Sequence, residues 1–196
     1  MENYPKTVKL LDGSTVIIRP MRVDDAPALH MFFCNLPDES RLVLKDDVTD
    51  RTVIDRWAAE LDYDAVLPIL ALSGEHVVGD ATLHRDKSGW SIHVGEFRVV
   101  IAPQFRKRGL GTILAREVIQ NAVDFGLEKI TCEIMEEQEA LRKLLERAGF
   151  ATEATLGRFI KDVRGKHHDL VIMSHDVSEV WHALEDMMFY KDFSTL

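Results

Sequence analysis

The stretch from Val99 to Thr112 combines residue types that bind anions. An apolar run ends at Pro103, and a basic loop follows it, which reads Arg106-Lys107-Arg108-Gly109-Leu110-Gly111-Thr112. Helical periodicity begins at the end of this loop. The first N–H groups of a helix are unpaired and lie at the positive end of its dipole, so they bind phosphate. Glycines let the backbone approach a ligand closely. The sequence therefore predicts an anion site here.

Two common phosphate motifs do not fit this loop. A Walker A loop requires Gly-Lys-Ser/Thr, which is absent from the sequence here, and the third glycine of the dinucleotide fingerprint would fall at Leu114. The loop is therefore either a different phosphate-binding motif or an ordinary basic turn before a helix.

Composition limits the other function classes. The chain has 196 residues, of which 46% are hydrophobic and 29% charged, and its formal net charge is -9. This acidity argues against general binding to nucleic acid or to an anionic membrane. The sequence has no apolar run of membrane-spanning length, and its start lacks the features of a signal peptide, so we expect a cytoplasmic protein. Cys34 and Cys132 have no metal-ligand spacing and are expected to be buried free thiols.

The elements that would position the loop follow from periodicity and turn signals. The predicted strands are a hairpin around Asp12-Gly13, then 66–72, 76–84, 90–101, 129–134, 150–156 and 167–175, with a polar connection over 157–166. The predicted helices run from Asp24 or Asp25 to about Cys34, from Thr49 or Asp50 to about Leu61, over 111–125, and from Glu137 or Gln138 to Ala148. Gly79 is a candidate bulge or close contact, and Gly95 is a candidate bend or bulge.

These elements predict an α/β (α+β) fold, in which helices flank a mixed, mostly antiparallel central sheet. Residues 1–176 form one domain in this interpretation. Residues 177–196 add a C-terminal helical extension of the same domain. Its Met187-Met188-Phe189 stripe indicates packing or a homodimer contact.

The spacing Arg106-x-x-Gly109-x-Gly111 resembles the pyrophosphate motif of the GNAT family of N-acetyltransferases, which is Gln/Arg-x-x-Gly-x-Gly/Ala. The segments Val16–Asp25 and Ala140–Phe150 resemble family segments in order and spacing. The runs Asp12–Pro20 and Phe32–Ser40 resemble the acetyltransferase domain of bacterial Pat-type protein-lysine acetyltransferases. The resemblance implies a splayed strand pair that forms an acetyl-CoA cleft. It also implies direct acetyl transfer, without a metal, to a primary amine, either a protein lysine or a small amine.

The resemblance also implies which residues bind the co-substrate. The pyrophosphate would lie on the N–H groups of residues 108–112, with charge supplied by Arg106 and Lys107. The pantetheine arm would pair with the backbone of Val99, Val100 and Ile101, and a bulge near 95–98 could help to splay the sheet. Gln138 stands where the family often has an asparagine. The complete predicted set is Val99, Val100, Ile101, Arg106, Lys107, Arg108, Gly109, Leu110, Gly111, Thr112 and Gln138.

Glu96 is the candidate general base, because a lysine amine with a pKa of about 10.4 must lose a proton before it attacks. It resembles the glutamate of the Pat-type Glu-Phe-Ala-Val pattern, although Arg98 replaces the small residue. A solvated strand glutamate is the alternative. Leu145 stands where many family members have a proton-donating tyrosine. This departure leaves open a second function, that of a catalytically weak or inactive acyl-CoA-binding or sensor domain.

Several other polar residues have structural interpretations. His167, His168 and Asp169 are expected to form a polar cluster beside a turn rather than a metal site, because adjacent strand residues point to opposite faces. His84 and His93 are candidates for the acceptor cleft. The acidic run that includes Glu133 and Glu137 is a solvated face or attracts a cationic acceptor.

Overall fold

The computed structural model describes residues 4–42 and 44–177 of the chain. Within these residues, eight strands form one sheet. The strands are β1 (Lys6–Lys9), β2 (Thr15–Pro20), β3 (Val66–Ser73), β4 (His76–Arg85), β5 (Val94–Ile101), β6 (Lys129–Met135), β7 (Ala151–Lys161) and β8 (His167–Asp176).

Helices join and cover these strands. They are α1 (Ala26–Cys34), α2 (Asp38–Arg41), α3 (Arg51–Ala59), α4 (Leu110–Asp124) and α5 (Glu139–Arg147), together with short 3-10 turns at Val23–Asp25 and Pro103–Phe105. The Asp50 side chain begins α3 by accepting a hydrogen bond from the Thr52 N–H, as the sequence predicts.

The sheet order is β1-β2-β3-β4-β5-β6-β8-β7. Strands β5 and β6 run parallel, and every other neighbouring pair in this sheet is antiparallel. The parallel pair is joined through α4, which supplies the crossover that parallel neighbours require. The predicted mixed, mostly antiparallel sheet with flanking helices is confirmed.

Helix α4 packs against the central strands β3, β4 and β5. Its Leu110 and Leu114 are fully buried. A Cβ at Gly79 would lie 3.1 Å from Leu114 Cδ1, so the glycine allows the helix to approach β4 closely. Val78, the residue before it, is the extra residue of a bulge against β3. Helix α1 contacts β4 and α3.

Two strand boundaries and one predicted bulge differ from the sequence-based expectations. Strand β5 begins at Val94, because residues 90–93 form a turn in which Trp90 is 93% exposed. Gly95 is not a bulge: the β4–β5 register is unbroken, and a Cβ there would lie 2.7 Å from Leu83 Cδ1. Strand β7 continues to Lys161 past a register shift between Leu156 and Ile160, which shortens the predicted connection over 157–166.

The predicted C-terminal helix and its Met187-Met188-Phe189 stripe lie outside the described residues. Val177, the last described residue, is buried in the core. Among the residues that the structure describes, no helix is both long and apolar enough to cross a membrane.

A buried ion pair fixes the start of α1 to β2. The Arg19 guanidinium donates to both Asp25 carboxylate oxygens at 2.6 and 2.7 Å, and the Arg22 N–H donates to Oδ2 at 2.7 Å. The two side chains are only 14% and 9% exposed. Burial by itself would raise the pKa of Asp25, but these donors outweigh it and lower the pKa overall.

Asp25→Ala should lower the free energy of unfolding by about 3 kcal/mol, because it leaves Arg19 buried and unpaired. In differential scanning calorimetry this corresponds to a Tm about 9 °C lower. Since the pKa of Asp25 is lowered in the fold, the difference should be complete above pH of about 4 and should shrink as the pH falls further.

Asp55→Ala is the matched control, because Asp55 pairs with Arg51 on the exposed surface of α3. Its unfolding free energy should stay within about 0.5 kcal/mol of the parent value. Equal decreases in the free energy of unfolding of the two variants would contradict the structural role assigned to Asp25.

Candidate active site

Strands β5 and β6 pair over three residues and then separate. Val94–Glu96 pairs with Lys129–Thr131. Beyond that point β5 remains paired with β4 as far as Ile101, and β6 with β8 as far as Met135. We call the gap between them the split, and the last pair, Glu96 and Thr131, its vertex. The edges that face the split have backbone groups without a ladder partner among the described strands, as the predicted splayed pair requires. No bulge in the β4–β5 register produces it.

The basic loop lies at the end of β5 and leads directly into α4. In the part of the chain that the structure describes, the N–H groups of residues 107–112 donate to no acceptor. Lys107 and Gly109 both have positive φ angles, 59° and 87°, which turn the backbone sharply before the helix. Consecutive free N–H groups at a helix start form an anion site.

The three cations of the loop differ in their partners. Arg106 donates to the Ile101 carbonyl and to Ser40 Oγ, at 3.0 Å each. Arg108 donates to Asp12 Oδ2 at 2.7 Å, while its carbonyl accepts from the Leu11 N–H. Lys107 has no ion pair with any described residue. Arg106 and Arg108 therefore hold the loop, and Lys107 remains available to a ligand.

Gly111 and Gln138 have structural partners beside their predicted ligand roles. A Cβ at Gly111 would lie 2.2 Å from Leu144 Cδ1 and 3.1 Å from Ile101 Cδ1, so a substitution requires Leu144 to move. A Gly111 variant therefore does not separate ligand binding from packing. Gln138 precedes α5, and its Oε1 accepts a hydrogen bond from the Met135 N–H at 2.8 Å.

Charged side chains converge at the vertex. Lys45 Nζ, from the segment between α2 and α3, lies 2.6 Å from Glu96 Oε1 and 2.7 Å from Glu133 Oε2. Arg98 donates to both Glu96 oxygens, from Nε at 2.9 Å and from Nη2 at 3.0 Å. Glu96 is on β5 and Glu133 is on β6, so the Lys45 ammonium links the two strands across the split.

These contacts set the protonation state of the vertex. Burial by itself would raise the pKa of Glu96, but hydrogen bonds from Arg98 and Lys45 outweigh it and lower the pKa to about 2. Burial, together with the charge of nearby Arg98, lowers the pKa of His84 to about 4. At neutral pH, Glu96 is therefore an anion and His84 is neutral.

His84 and Asp80 lie on the same face of the sheet as Glu96. In the β4–β5 ladder His84 is paired with Glu96, and Asp80 with Val100. This face is opposite α4, because Gly79 on the alternate face contacts Leu114. Burial raises the pKa of Asp80 to about 7, opposed by a hydrogen bond from Thr82 Oγ1 at 3.1 Å.

Sequence reasoning missed Lys45 and Asp80. Lys45 is 51 residues from Glu96, and no local pattern predicts their contact. Asp80 had a signal, since an acidic residue inside the otherwise apolar run 77–83 is a candidate buried carboxylate.

The remaining sequence candidates lie elsewhere. Leu145 is fully buried in the core. His168 contacts Glu137 Oε1 at 2.7 Å and Asp162 Oδ2 at 3.1 Å, which makes it the polar cluster expected beside the turn. Among the described residues, no group of three or more His, Cys, Asp or Glu side chains is arranged to hold a metal ion.

Comparison with known proteins agrees with this geometry. Residues 30–150, more than half of the chain, match the model of the Acetyltransferase (GNAT) family. The chain belongs to the GNAT family. It is accordingly an N-acetyltransferase by family, and the co-substrate of this family is acetyl-CoA.

Solved structures share the fold at low sequence identity. The GNAT domain of S. lividans PAT is 20% identical, with a TM-score of 0.73, over 90% of this chain and 98% of that one. The ribosomal-protein-alanine N-acetyltransferase from Brucella melitensis is 23% identical, with a TM-score of 0.71, over 81% of this chain and 98% of that one. The protein yncA from Salmonella typhimurium, solved with its cofactor acetyl-CoA, is 20% identical, with a TM-score of 0.71, over 84% of this chain and 95% of that one.

Removing either cation should raise the pKa of Glu96. We expect Lys45→Ala and Arg98→Ala each to move it above about 2, and the double variant to bring it to or above the ordinary value of about 4.3, because burial then acts alone. Carbon-13 NMR titration of the side-chain carboxyl measures the change. Glu153, whose partners are Ser174 and Lys129, is the internal reference and should titrate as in the parent. A Glu96 pKa unchanged in the double variant would refute the assigned contacts.

Proposed function

We propose that this protein transfers an acetyl group from acetyl-CoA to a primary amine at the vertex of the split. The observation that carries the proposal is that two carboxylates at the vertex already bind the amine of a lysine side chain. Glu96 and Glu133, one on each strand, bind the Lys45 ammonium at 2.6 and 2.7 Å. A site that satisfies one alkylammonium in this way has the charge and spacing to bind another.

The loop and the split supply the co-substrate site in this proposal. The free N–H groups of residues 107–112 bind the pyrophosphate, and Lys107 adds charge. The unpaired edge of residues 97–101 spans roughly 16 Å, which suits an extended pantetheine arm paired as an added strand. An arm bound along this edge brings its thioester to the vertex, where backbone N–H groups of β5 would stabilise the developing oxyanion.

The role of Glu96 depends on its cationic partners. Direct transfer of a proton from an ammonium with a pKa of about 10.4 to a carboxylate with a pKa of about 2 is uphill by about 11 kcal/mol. Glu96 therefore acts as a base only after an acceptor amine displaces Lys45. It then holds the incoming ammonium and passes the proton to solvent. The leaving CoA thiolate is protonated by water, without a dedicated acid at the buried Leu145.

The second candidate function is that of a catalytically weak acyl-CoA-binding domain. The properties of Leu145 and Glu96 favour it. Leu145 donates no proton, and Glu96 is held as a weak base. The two functions share the loop and differ in turnover.

A thiol-release assay with acetyl-CoA and a panel of lysine peptides and small amines separates the two functions. We expect turnover with at least one amine. Glu96→Gln should lower kcat about 100-fold or more, because the carboxylate that orients and deprotonates the amine is lost. Glu139→Gln, a highly exposed carboxylate on α5, is the control and should retain the parent kcat. Tight CoA binding without turnover on any amine would establish the binding-domain alternative.

Lys107→Glu tests the pyrophosphate site. We expect the Kd for CoA in isothermal titration calorimetry to rise about tenfold or more, equivalent to about 1.4 kcal/mol. A non-glycine residue already occupies this backbone conformation, so the substitution mainly reverses a charge. Lys143→Glu, on the exposed side of α5, should leave the Kd within about twofold of the parent value. An unchanged Kd in Lys107→Glu would remove Lys107 from the site.

A further inference from the structure

We propose that Lys45 is itself an acceptor, and that the chain transfers an acetyl group from acetyl-CoA to its own Lys45. This inference rests on the proposed function, because it uses the same vertex and the same co-substrate. Lys45 Nζ is the primary amine that the structure places between Glu96 and Glu133. It therefore lies where the proposed function requires an external amine to lie.

The chain holds Lys45 at this place from both sides. On one side the Leu44 N–H donates to the Arg41 carbonyl at 3.0 Å, and the Leu44 side chain packs against the core. On the other side Val48 is buried. The Asp47 carboxylate fixes the turn that follows, by accepting from the N–H and the hydroxyl of Thr49. Lys45 thus reaches the vertex from an anchored segment, so the amine is positioned before any ligand binds.

The contacts of Lys45 separate it from two surface lysines, Lys143 and Lys166. Lys143 and Lys166 are 68% and 67% exposed, and their carboxylate contacts are at 3.8 Å on the surface. Lys45 is 44% exposed and makes two short contacts, one to each side of the split. A thioester delivered along the β5 edge would meet the Lys45 amine before the amine of either surface lysine.

The transfer balances without a further reactant. The Lys45 ammonium first loses one proton to solvent. The nitrogen lone pair then forms a C–N bond with the thioester carbonyl carbon, and the C–S bond breaks with its electron pair leaving on sulfur. The second nitrogen proton ends on that sulfur. The products are Nε-acetyl-Lys45, CoA thiol and one released proton.

Acetylation would remove the charge that holds Lys45 at the vertex. A neutral amide makes no ion pair with Glu96 or Glu133, so both carboxylates lose the Lys45 charge and can pair with an external ammonium. Arg98 would then be the remaining cation on Glu96. Self-acetylation therefore converts an occupied acceptor site into an open one.

The test incubates the full-length protein with acetyl-CoA alone and follows each lysine by peptide mass spectrometry. We expect Lys45 to be acetylated about a hundredfold faster than Lys143 in the same sample, because it is positioned and Lys143 is not. Lys143 measures ordinary chemical acetylation and is the matched internal control. The rate per chain should not change on dilution, and the parent should release about one CoA thiol per chain, which Lys45→Arg should not.

Each outcome decides the inference. Acetylation of Lys45 at the rate of Lys143, or at a rate per chain that falls with dilution, would overturn it. If Lys45→Arg or the parent acetylates an external amine while Lys45 of the parent stays unmodified, the inference fails and the proposed function stands. If Lys45 is acetylated and no external amine is, the inference stands and the external acceptor is wrong. If neither is modified although acetyl-CoA binds, both proposals fail.

Discussion

The separation of β5 from β6 is the constraint on which the rest of this structure depends. Buried backbone N–H and C=O groups need partners, and two strands that part in mid-sheet leave a row of them open on each edge. Here each strand keeps its outer neighbour, β4 beside β5 and β8 beside β6, so only the edges that face the split are open. Helix α4 begins at the end of β5, so its free N–H groups stand at the open end of the same gap. In the proposed function, one ligand with a phosphate end and an extended amide arm would satisfy both sets of groups.

The vertex is held by charge rather than by backbone pairing. Glu96 has two cationic partners, Arg98 from its own strand and Lys45 from a distant segment, and Lys45 also binds Glu133. With two carboxylates and two cations, the cluster is close to neutral, which makes its partial burial tolerable. In the proposed function an acceptor amine replaces Lys45 in this cluster, because any primary amine presents the same charged group as Lys45.

The parts of this site that the sequence predicted are local. The loop from Arg106 to Gly111 and the start of α4 are adjacent in the chain, and their residue types limit the backbone directly. The splayed pair followed from the resemblance to the GNAT family, and the structure bears it out. The boundary at Trp90 was missed because an apolar aromatic residue is typical of a strand, whereas here it is exposed in a turn.

The parts that the sequence did not predict depend on distant contacts. Arg98 was noticed only as a departure from the Pat-type pattern, although its position two residues from Glu96 places both side chains on one face. Lys45 had no such signal, since its partners are 51 and 88 residues away in the chain. Gly95 suggested a bulge, but its environment is set by Leu83 and Leu127, which approach from other elements. Close packing and a flexible backbone both call for glycine, so sequence alone does not separate them.

Asp80 and Glu96 show that position and partners, rather than residue type, determine which carboxylate can take a proton. Both lie on the face of the β4–β5 ladder opposite α4, yet the pKa of Asp80 is about 7 and that of Glu96 about 2. Asp80 has one hydroxyl donor, whereas Glu96 has two cations.

By pKa alone Asp80 is the better base at neutral pH. It is paired with Val100, however, roughly 13 Å along β5 from the vertex, and is therefore out of reach of an amine bound there. Glu96 has the position but not the proton affinity, because Arg98 and Lys45 both lower its pKa. These ion pairs, more than the glutamate itself, therefore set the protonation state of the vertex.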